Sequence, residues 1–165
     1  RLIYLICGED SEKTKELMEE LKTTGKYTIT LEMKEKLADF AAGYSTEEET
    51  AESIHDTYQK TGYVMDTHTA VAAHVCGQYR AKSGDQTKCV IASTASPYKF
   101  VKSVMSAIDA ENANADEFDL LPKLQEVSGV PMPQAIKDIL DAKVLHDLEC
   151  DADKMKDTVK GILGV

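Results

Sequence analysis

The 165-residue sequence has no tryptophan and only four prolines, and no apolar run is long enough to span a bilayer. It also has no basic segment followed by an apolar one, the pattern of a secretory leader. These absences predict no membrane segment and a cytoplasmic location. At 42% hydrophobic and 29% charged residues, the composition is typical of one globular domain, over 1–165, with one core.

Cysteine is scarce, and the four residues Cys7, Cys76, Cys89 and Cys150 form no C-x-x-C pair. The histidines do not show a two-histidine ligand spacing either. The sequence therefore indicates neither a zinc site nor a small disulfide scaffold, and we expect no bound metal. Four reduced, mostly buried thiols are the simplest prediction.

An excess of basic residues is also absent, because 19 Lys and Arg face 29 Asp and Glu, for a net charge of −10. Such a balance opposes binding to phosphate backbones and argues against a nucleic-acid partner. Walker-type and dinucleotide glycine patterns and the G-x-S-x-G nucleophile elbow are missing. A catalytic triad could be drawn only from Ser93, His68 and Asp66, and no spacing places these together.

Helical periodicity is the main pattern that the sequence does contain. Ser45 and Glu48 fit a capping box before a helix that ends at Gly62, with His55 as a hydrogen-bonded histidine at the core edge. Apolar spacing predicts helices over 11–25, 33–40, 45–62, 66–80, 97–108, 119–129, 133–142 and 151–163. In the last helix, Ala152, Met155, Val159 and Ile162 are predicted to face inward.

Short apolar runs between these helices predict strands over 26–33, 63–65, 88–93 and 143–150. The alternation of strands and helices predicts an α/β fold, helix-rich, with a few short, mainly parallel strands. Ligands of such sheets bind where strands end and helices begin, which here means residues 66–69 and 93–96. The polar side chains of both stretches can equally be helix caps.

Two segments together carry a family resemblance. "DTHTAVAAHVCGQYR" over 66–80 and "VIASTASPYKF" over 90–100 resemble the carboxy-terminal part of threonine synthase, whose usual forms run near D-P-H-T-A and S-T-A-H-P-x-K-F. The opening "RLIYLICG" and the ending "VLHDLECDADKMKDTVKGIL" are also similar to that family. The resemblance covers essentially the whole chain, but only the last third or so of the family's length.

This resemblance implies a pyridoxal-phosphate enzyme of the tryptophan-synthase-like fold type (fold type II) that converts O-phosphohomoserine and water to threonine and phosphate. The cofactor serves as an electron sink. By the family pattern, Thr94 hydrogen-bonds the pyridine nitrogen, with Ser93 beside it. His68, Thr69 and Lys99 are expected on the active-site face, with no role assigned to them.

The sequence departs from the family pattern at Thr67, where proline is usual, and at Ser96, where histidine is frequent. It also has neither the segment with the cofactor-bearing lysine nor a glycine-rich phosphate cup. We therefore expect a carboxy-terminal fragment that is inactive alone, does not hold the cofactor by itself, and needs the amino-terminal part of the same enzyme. Its uncovered surface favours self-association.

Two alternatives stay open at this stage. One is a stand-alone, noncatalytic α/β module that binds a protein partner through the surface that the amino-terminal part would cover. The other is a domain that binds phosphate or another small molecule at the helix starts near Thr69 and Pro97.

Overall fold

A computed structural model describes residues 1–145 and 147–165 of the chain. Short 3-10 turns lie at Pro97–Phe100, Ala110–Asn114 and Ala152–Lys154. The α-helices of this part are α1 (Leu2–Ile6), α2 (Ser11–Thr24), α3 (Leu31–Glu35), α4 (Glu47–Thr61), α5 (Thr67–Ser83), α6 (Val101–Ile108), α7 (Glu117–Ser128), α8 (Gln134–Leu140) and α9 (Met155–Leu163).

Local capping explains where the longer helices begin and end. Asp10 caps α2 by accepting from the Lys13 amide, and Gly25 follows that helix in the left-handed region, at the end of the predicted range 11–25. The capping box of α4 is formed by Thr46 and Glu49, one residue later than predicted.

The main hydrophobic core lies among α4, α5, α6 and α7. Its fully buried members include Ile54 of α4, Ala70 of α5, Val104 of α6, and Leu120 and Leu124 of α7. Each large side chain buried in this way contributes about 1.5–3 kcal/mol of hydrophobic free energy. The same core also holds the segment that enters α5.

A second, smaller cluster is formed by Ile6 of α1, Leu17 of α2 and Met33 of α3. Tyr27 and Ile29, which the alternation pattern assigned to a strand, pack against this cluster from an extended segment. In the described part of the chain, the clustered buried residues thus form two groups, where chain length predicted one core.

The predicted α/β class is wrong for the described residues, which contain no strand. A strand exists only where its backbone groups pair with a neighbouring strand, and an apolar run does not supply that neighbour. Val90, in the run read as a buried strand, is 90% exposed, and Ile91 is also exposed. The strand predicted over 143–150 is likewise not formed at 143–145 or 147–150, while residue 146 lies outside the described residues.

The prediction for the last helix is also wrong in its orientation. Helix α9 forms, but Met155, Val159 and Ile162 are 58%, 51% and 64% exposed, and Ala152 is exposed as well. Its apolar face therefore has no cover from the described residues. Among those residues, no helix combines the length and the apolar character that crossing a membrane requires.

Candidate functional site

Asp66 is a buried carboxylate at the start of α5. Val64 and Met65 are buried in the main core, and the adjacent Asp66 is buried with them, at only 1% exposure. Its Oδ1 accepts from the backbone amides of His68, at 2.9 Å, and Thr69, at 3.3 Å. Asp66 is thus the N-cap of α5, as the capping alternative predicted.

The second carboxylate oxygen of Asp66 joins two hydroxyl side chains. Thr69 Oγ1 donates to Oδ2 of Asp66 and lies 3.0 Å from Ser93 Oγ, which is itself 3.5 Å from the same Oδ2. The Ser93 hydroxyl thus lies within reach of both Thr69 Oγ1 and the Asp66 carboxylate, and it donates to the carboxylate. This Asp66–Thr69–Ser93 network connects the segment before Thr94 to the first turn of α5.

Thr94 directly follows this anchored serine and is exposed. Within the described part of the chain, the hydrogen bonds around it involve Ser93 and Ser96 but not the Thr94 hydroxyl. The two hydroxyls that were predicted at the cofactor site therefore differ in their hydrogen bonding. The Ser93 hydroxyl is engaged internally, and the Thr94 hydroxyl is free to meet a ligand.

The exposed side chains of His68 and Lys99 both contact Phe100, which is half-buried against the main core. The His68 ring lies 4.9 Å from the Phe100 ring between centroids, tilted by 44°. Lys99 Nζ lies 5.8 Å from the Phe100 ring centroid, within the range of a cation–π contact. The two predicted site residues are therefore brought together by Phe100, which the sequence analysis did not single out.

Tyr98 is a second residue that the sequence analysis missed. It is 3% exposed, and its hydroxyl donates to the backbone carbonyl of Val130 at 2.5 Å. Burial raises the pKa of Tyr98 above its usual value, which keeps the hydroxyl protonated as a donor. The turn that carries Lys99 is fixed to the core through this neighbour.

The geometry does not assemble a Ser-His-Asp triad. His68 Nδ1 lies 3.6 Å from Asp66 Oδ1, too far for a hydrogen bond, and 3.4 Å from the hydroxyl of Thr67. Asp66 instead contacts Thr69 and Ser93 without an intervening imidazole. His55, predicted at the core edge, has its Nδ1 3.1 Å from the Ala107 carbonyl oxygen, although the residue is exposed.

The helix starts near Thr69 and Pro97 are also occupied by their own caps. The amides of His68 and Thr69 bond to Asp66, and Ser96 Oγ accepts from the Tyr98 amide at 3.3 Å. A phosphate at either position would have to displace a cap, and at α5 it would meet a carboxylate. The arrangement therefore disfavours the phosphate-binding alternative.

The thiols are less buried than predicted. Cys7 and Cys76 are half-buried, and Cys89 and Cys150 are exposed. In the described residues, no three His, Cys, Asp or Glu side chains converge as metal ligands would.

Comparison with known proteins gives a family match. Residues 69–159, more than half of the chain, match the family model described as "Threonine synthase, C-terminal". The matched range contains four of the five candidate site residues, Thr69, Ser93, Thr94 and Lys99. His68 immediately precedes it.

Individual relatives agree with the family match. "Threonine synthase-like 1" from Pongo abelii is 31% identical over 132 residues, which cover 79% of this chain and 17% of that protein. "Threonine synthase" from Saccharomyces cerevisiae is 32% identical over 129 residues, which cover 73% of this chain and 25% of that protein.

A solved structure of PLP-bound threonine synthase from Brucella melitensis is 26% identical, with a TM-score of 0.58. It covers 98% of this chain, and the chain covers 31% of it. The chain thus spans less than a third of the length of each of these proteins. It belongs to the threonine synthase family and corresponds to the carboxy-terminal portion of its members.

Proposed function

We propose that this chain is the carboxy-terminal part of a pyridoxal-phosphate-dependent threonine synthase, which converts O-phosphohomoserine and water to threonine and phosphate. The observation that carries the proposal is the exposed Thr94 hydroxyl at the end of a segment anchored by Ser93. In this role the chain supplies one side of the cofactor site, and the amino-terminal part of the enzyme supplies the other.

The residues present fit the pyridine end of the cofactor. When bound, pyridoxal phosphate supplies an electron sink for the substrate. A ring nitrogen needs one hydrogen-bond partner, and the exposed hydroxyl of Thr94 can donate or accept. A neutral hydroxyl suits a nitrogen that need not be strongly protonated.

The Asp66–Thr69–Ser93 network supports a positioning role for the segment that carries Thr94. Two hydrogen bonds connect the hydroxyls of Ser93 and Thr69 to the Asp66 carboxylate, and Asp66 is itself held by two backbone amides. A charge-assisted hydrogen bond in such a site is worth about 1.5–3 kcal/mol. We assign Ser93 and Thr69 the role of positioning the Thr94 segment, and not of contacting the ring.

We assign His68 and Lys99 to the rim of the cofactor site. Both side chains are exposed around Phe100, one as an imidazole and one as an ammonium group. A cation there favours the approach of a phosphorylated, anionic substrate to the site of a protein with a net charge of −10. In this role His68 and Lys99 attract and orient the substrate.

The chain alone is expected to be inactive. Its sequence offers no cofactor-bearing lysine segment and no glycine-rich phosphate cup, so it has only the ring-nitrogen side of a site. One neutral hydrogen bond, worth about 0.5–1.5 kcal/mol, is too weak to retain a small molecule from dilute solution.

Titration with pyridoxal phosphate tests the role of Thr94. The enzyme reconstituted from this chain and the amino-terminal part of its parent is followed by cofactor absorbance, with Thr94→Val, Thr94→Ser and Ser93→Ala variants. Thr94→Val should weaken the cofactor affinity about tenfold and shift the absorbance, as loss of a hydrogen bond near 1.4 kcal/mol would. Thr94→Ser, which keeps the hydroxyl, should retain most of the affinity.

Ser93→Ala serves as the control for loop position, because it breaks the contact to Thr69 without removing the Thr94 hydroxyl. It should weaken cofactor binding less than Thr94→Val and leave the absorbance unchanged. Equal spectra and equal cofactor affinities in Thr94→Val and the unaltered chain would refute a hydrogen bond between Thr94 and the ring nitrogen.

A further inference from the structure

Two of the four cysteines lie against each other outside the site described above. Cys76 is in the third turn of α5, and Cys89 lies 13 residues later in the exposed segment that leads to Ser93. Their Sγ atoms are 3.1 Å apart. Neither the reaction proposed above nor the packing of the main core uses this pair.

The contact follows from how the chain turns back after α5. Gly84 ends the helix in the left-handed region, and the next residues then fold against its last turns. Arg80 Nη2 donates to the Thr87 carbonyl at 2.6 Å, and the Asp85 carboxylate accepts from the Tyr79 hydroxyl at 3.2 Å and from the Thr87 amide at 2.8 Å. These bonds hold the segment before Cys89 beside the helix.

The two thiols are not equivalent. Cys76 is half-buried and its S–H donates to the sulfur of Cys89. This hydrogen bond, and burial after it, raise the pKa of the Cys76 thiol. Cys89 is exposed and accepts that hydrogen bond, which makes it the thiol that meets a reagent from solution.

We propose that Cys76 and Cys89 are a dithiol site that is oxidised reversibly to a disulfide by small-molecule disulfides such as oxidised glutathione. In the first step the Cys89 thiolate attacks the reagent, forms a mixed disulfide and releases one small thiol. The Cys76 thiolate, after losing its proton to solvent, then attacks Cys89 Sγ and releases the second small thiol. The protein loses two electrons and two protons, and one reagent disulfide is reduced to two thiols.

The geometry needs only a small movement for this reaction. A disulfide bond is about 2.05 Å long, so the sulfur atoms must approach by about 1 Å from their separation of 3.1 Å. Cys89 lies in an exposed segment without helix or strand, and a shift there costs little buried packing.

The disulfide would give the Thr94 segment a second attachment to α5. Ser93 already contacts Thr69, and Cys89 contacts Cys76 about two helical turns further along the same helix. The segment therefore runs antiparallel to α5 and is fixed at both ends when the bond forms. This inference concerns the chain itself and does not depend on the reaction proposed above.

The test is oxidation of the 165-residue chain with oxidised glutathione, followed by alkylation of the remaining thiols, digestion and mass spectrometry. We expect a mass loss of two hydrogens, a peptide that links Cys76 to Cys89 at least about tenfold above any other pairing, and full reversal by a reducing dithiol. The same treatment in concentrated urea should lower the yield of the linked peptide, because unfolding separates the two sulfurs and leaves only the preference that a short, 13-residue loop gives.

Cysteine variants separate this pair from general thiol reactivity. In Cys76→Ser, Cys89 should retain the mixed disulfide with glutathione, while Cys150→Ser should form the Cys76–Cys89 bond as readily as the unaltered chain. Circular dichroism checks that each variant keeps its helices. Independent glutathionylation of all the cysteines, predominant intermolecular disulfides, or an equal yield of the linked peptide in urea would each overturn the proposal.

Discussion

Replacing Asp66 by alanine should destabilise the chain far more than the loss of an ordinary helix cap. Two terms contribute. Losing the N-cap bonds to the amides of His68 and Thr69 costs about 1 kcal/mol. The Thr69 hydroxyl, in a residue 5% exposed, also loses its carboxylate acceptor, at about 1–3 kcal/mol. We therefore expect a total loss of about 2–4 kcal/mol in the free energy of unfolding.

Asp116→Ala is the matched control. Asp116 caps α7 of the same core, but it is exposed, and among the described residues its carboxylate accepts only from the Phe118 amide, at 2.9 Å. Its replacement should cost about 1 kcal/mol. Asp66→Asn should fall between the two, because asparagine is a good N-cap and its amide can still bond to Thr69.

Urea unfolding followed by the helical circular dichroism signal measures these differences. Each 1 kcal/mol shifts the midpoint by about 0.3–1 M urea at the slopes usual for small proteins. Equal midpoint shifts in Asp66→Ala and Asp116→Ala would refute the reasoning, since the buried contact between Asp66 and the Thr69 hydroxyl would then add nothing to a simple cap.

Three further predictions rest on burial, charge and exposed surface. Leu124→Ala, at a fully buried position, should cost about 2–5 kcal/mol in urea unfolding, whereas Leu163→Ala, at 68% exposure, should change stability by no more than about 0.5 kcal/mol. The hydrogen bond from the Thr46 amide is the largest cause that lowers the pKa of Glu49 below its usual 4.5. The ionised carboxylate therefore stabilises the fold above pH 4.5, and this stabilisation is lost as the pH falls through the lowered pKa. Glu49→Gln, which does not titrate, should flatten the acid limb of a plot of urea midpoint against pH, and an unchanged limb would contradict this. Val159→Glu, on the exposed apolar face of α9, should reduce the concentration-dependent self-association of the chain measured by sedimentation. If the unaltered chain is a monomer at all concentrations, the prediction of self-association is wrong.

The helices could be predicted because their signals are local. Helix α2 forms within the predicted range 11–25, since the capping bond of Asp10 and the left-handed exit at Gly25 involve residues within a few positions of each other. The capping box of α4 shows the limit of this reasoning. Ser45 and Thr46 both precede a glutamate by three residues, so the sequence fits a capping box at either position. In the structure Thr46 is the N-cap, and Ser45 Oγ lies 3.0 Å from Thr50 Oγ1.

Whether an apolar run pairs as a strand, and which side chains join the network of the site, could not be predicted, because both depend on contacts distant in sequence. "KCVIAS" has the composition of a buried strand, yet no extended neighbour in the described residues pairs with it. Thr69 and Ser93 were identified through their family pattern, but their contact across 24 residues, and its attachment to Asp66, follow only from the fold. The thiol contact between Cys76 and Cys89 is of the same kind.

Phosphate release from O-phosphohomoserine tests the central claim most directly. It is measured with this chain alone, with the amino-terminal part of its parent alone, and with the two mixed in the presence of pyridoxal phosphate. We predict phosphate and threonine in equal amounts from the mixture only, with the rate greatly reduced by Thr94→Val and largely kept by Thr94→Ser. A mixture that binds the cofactor in a stable complex but releases no phosphate would contradict the assignment as a threonine synthase.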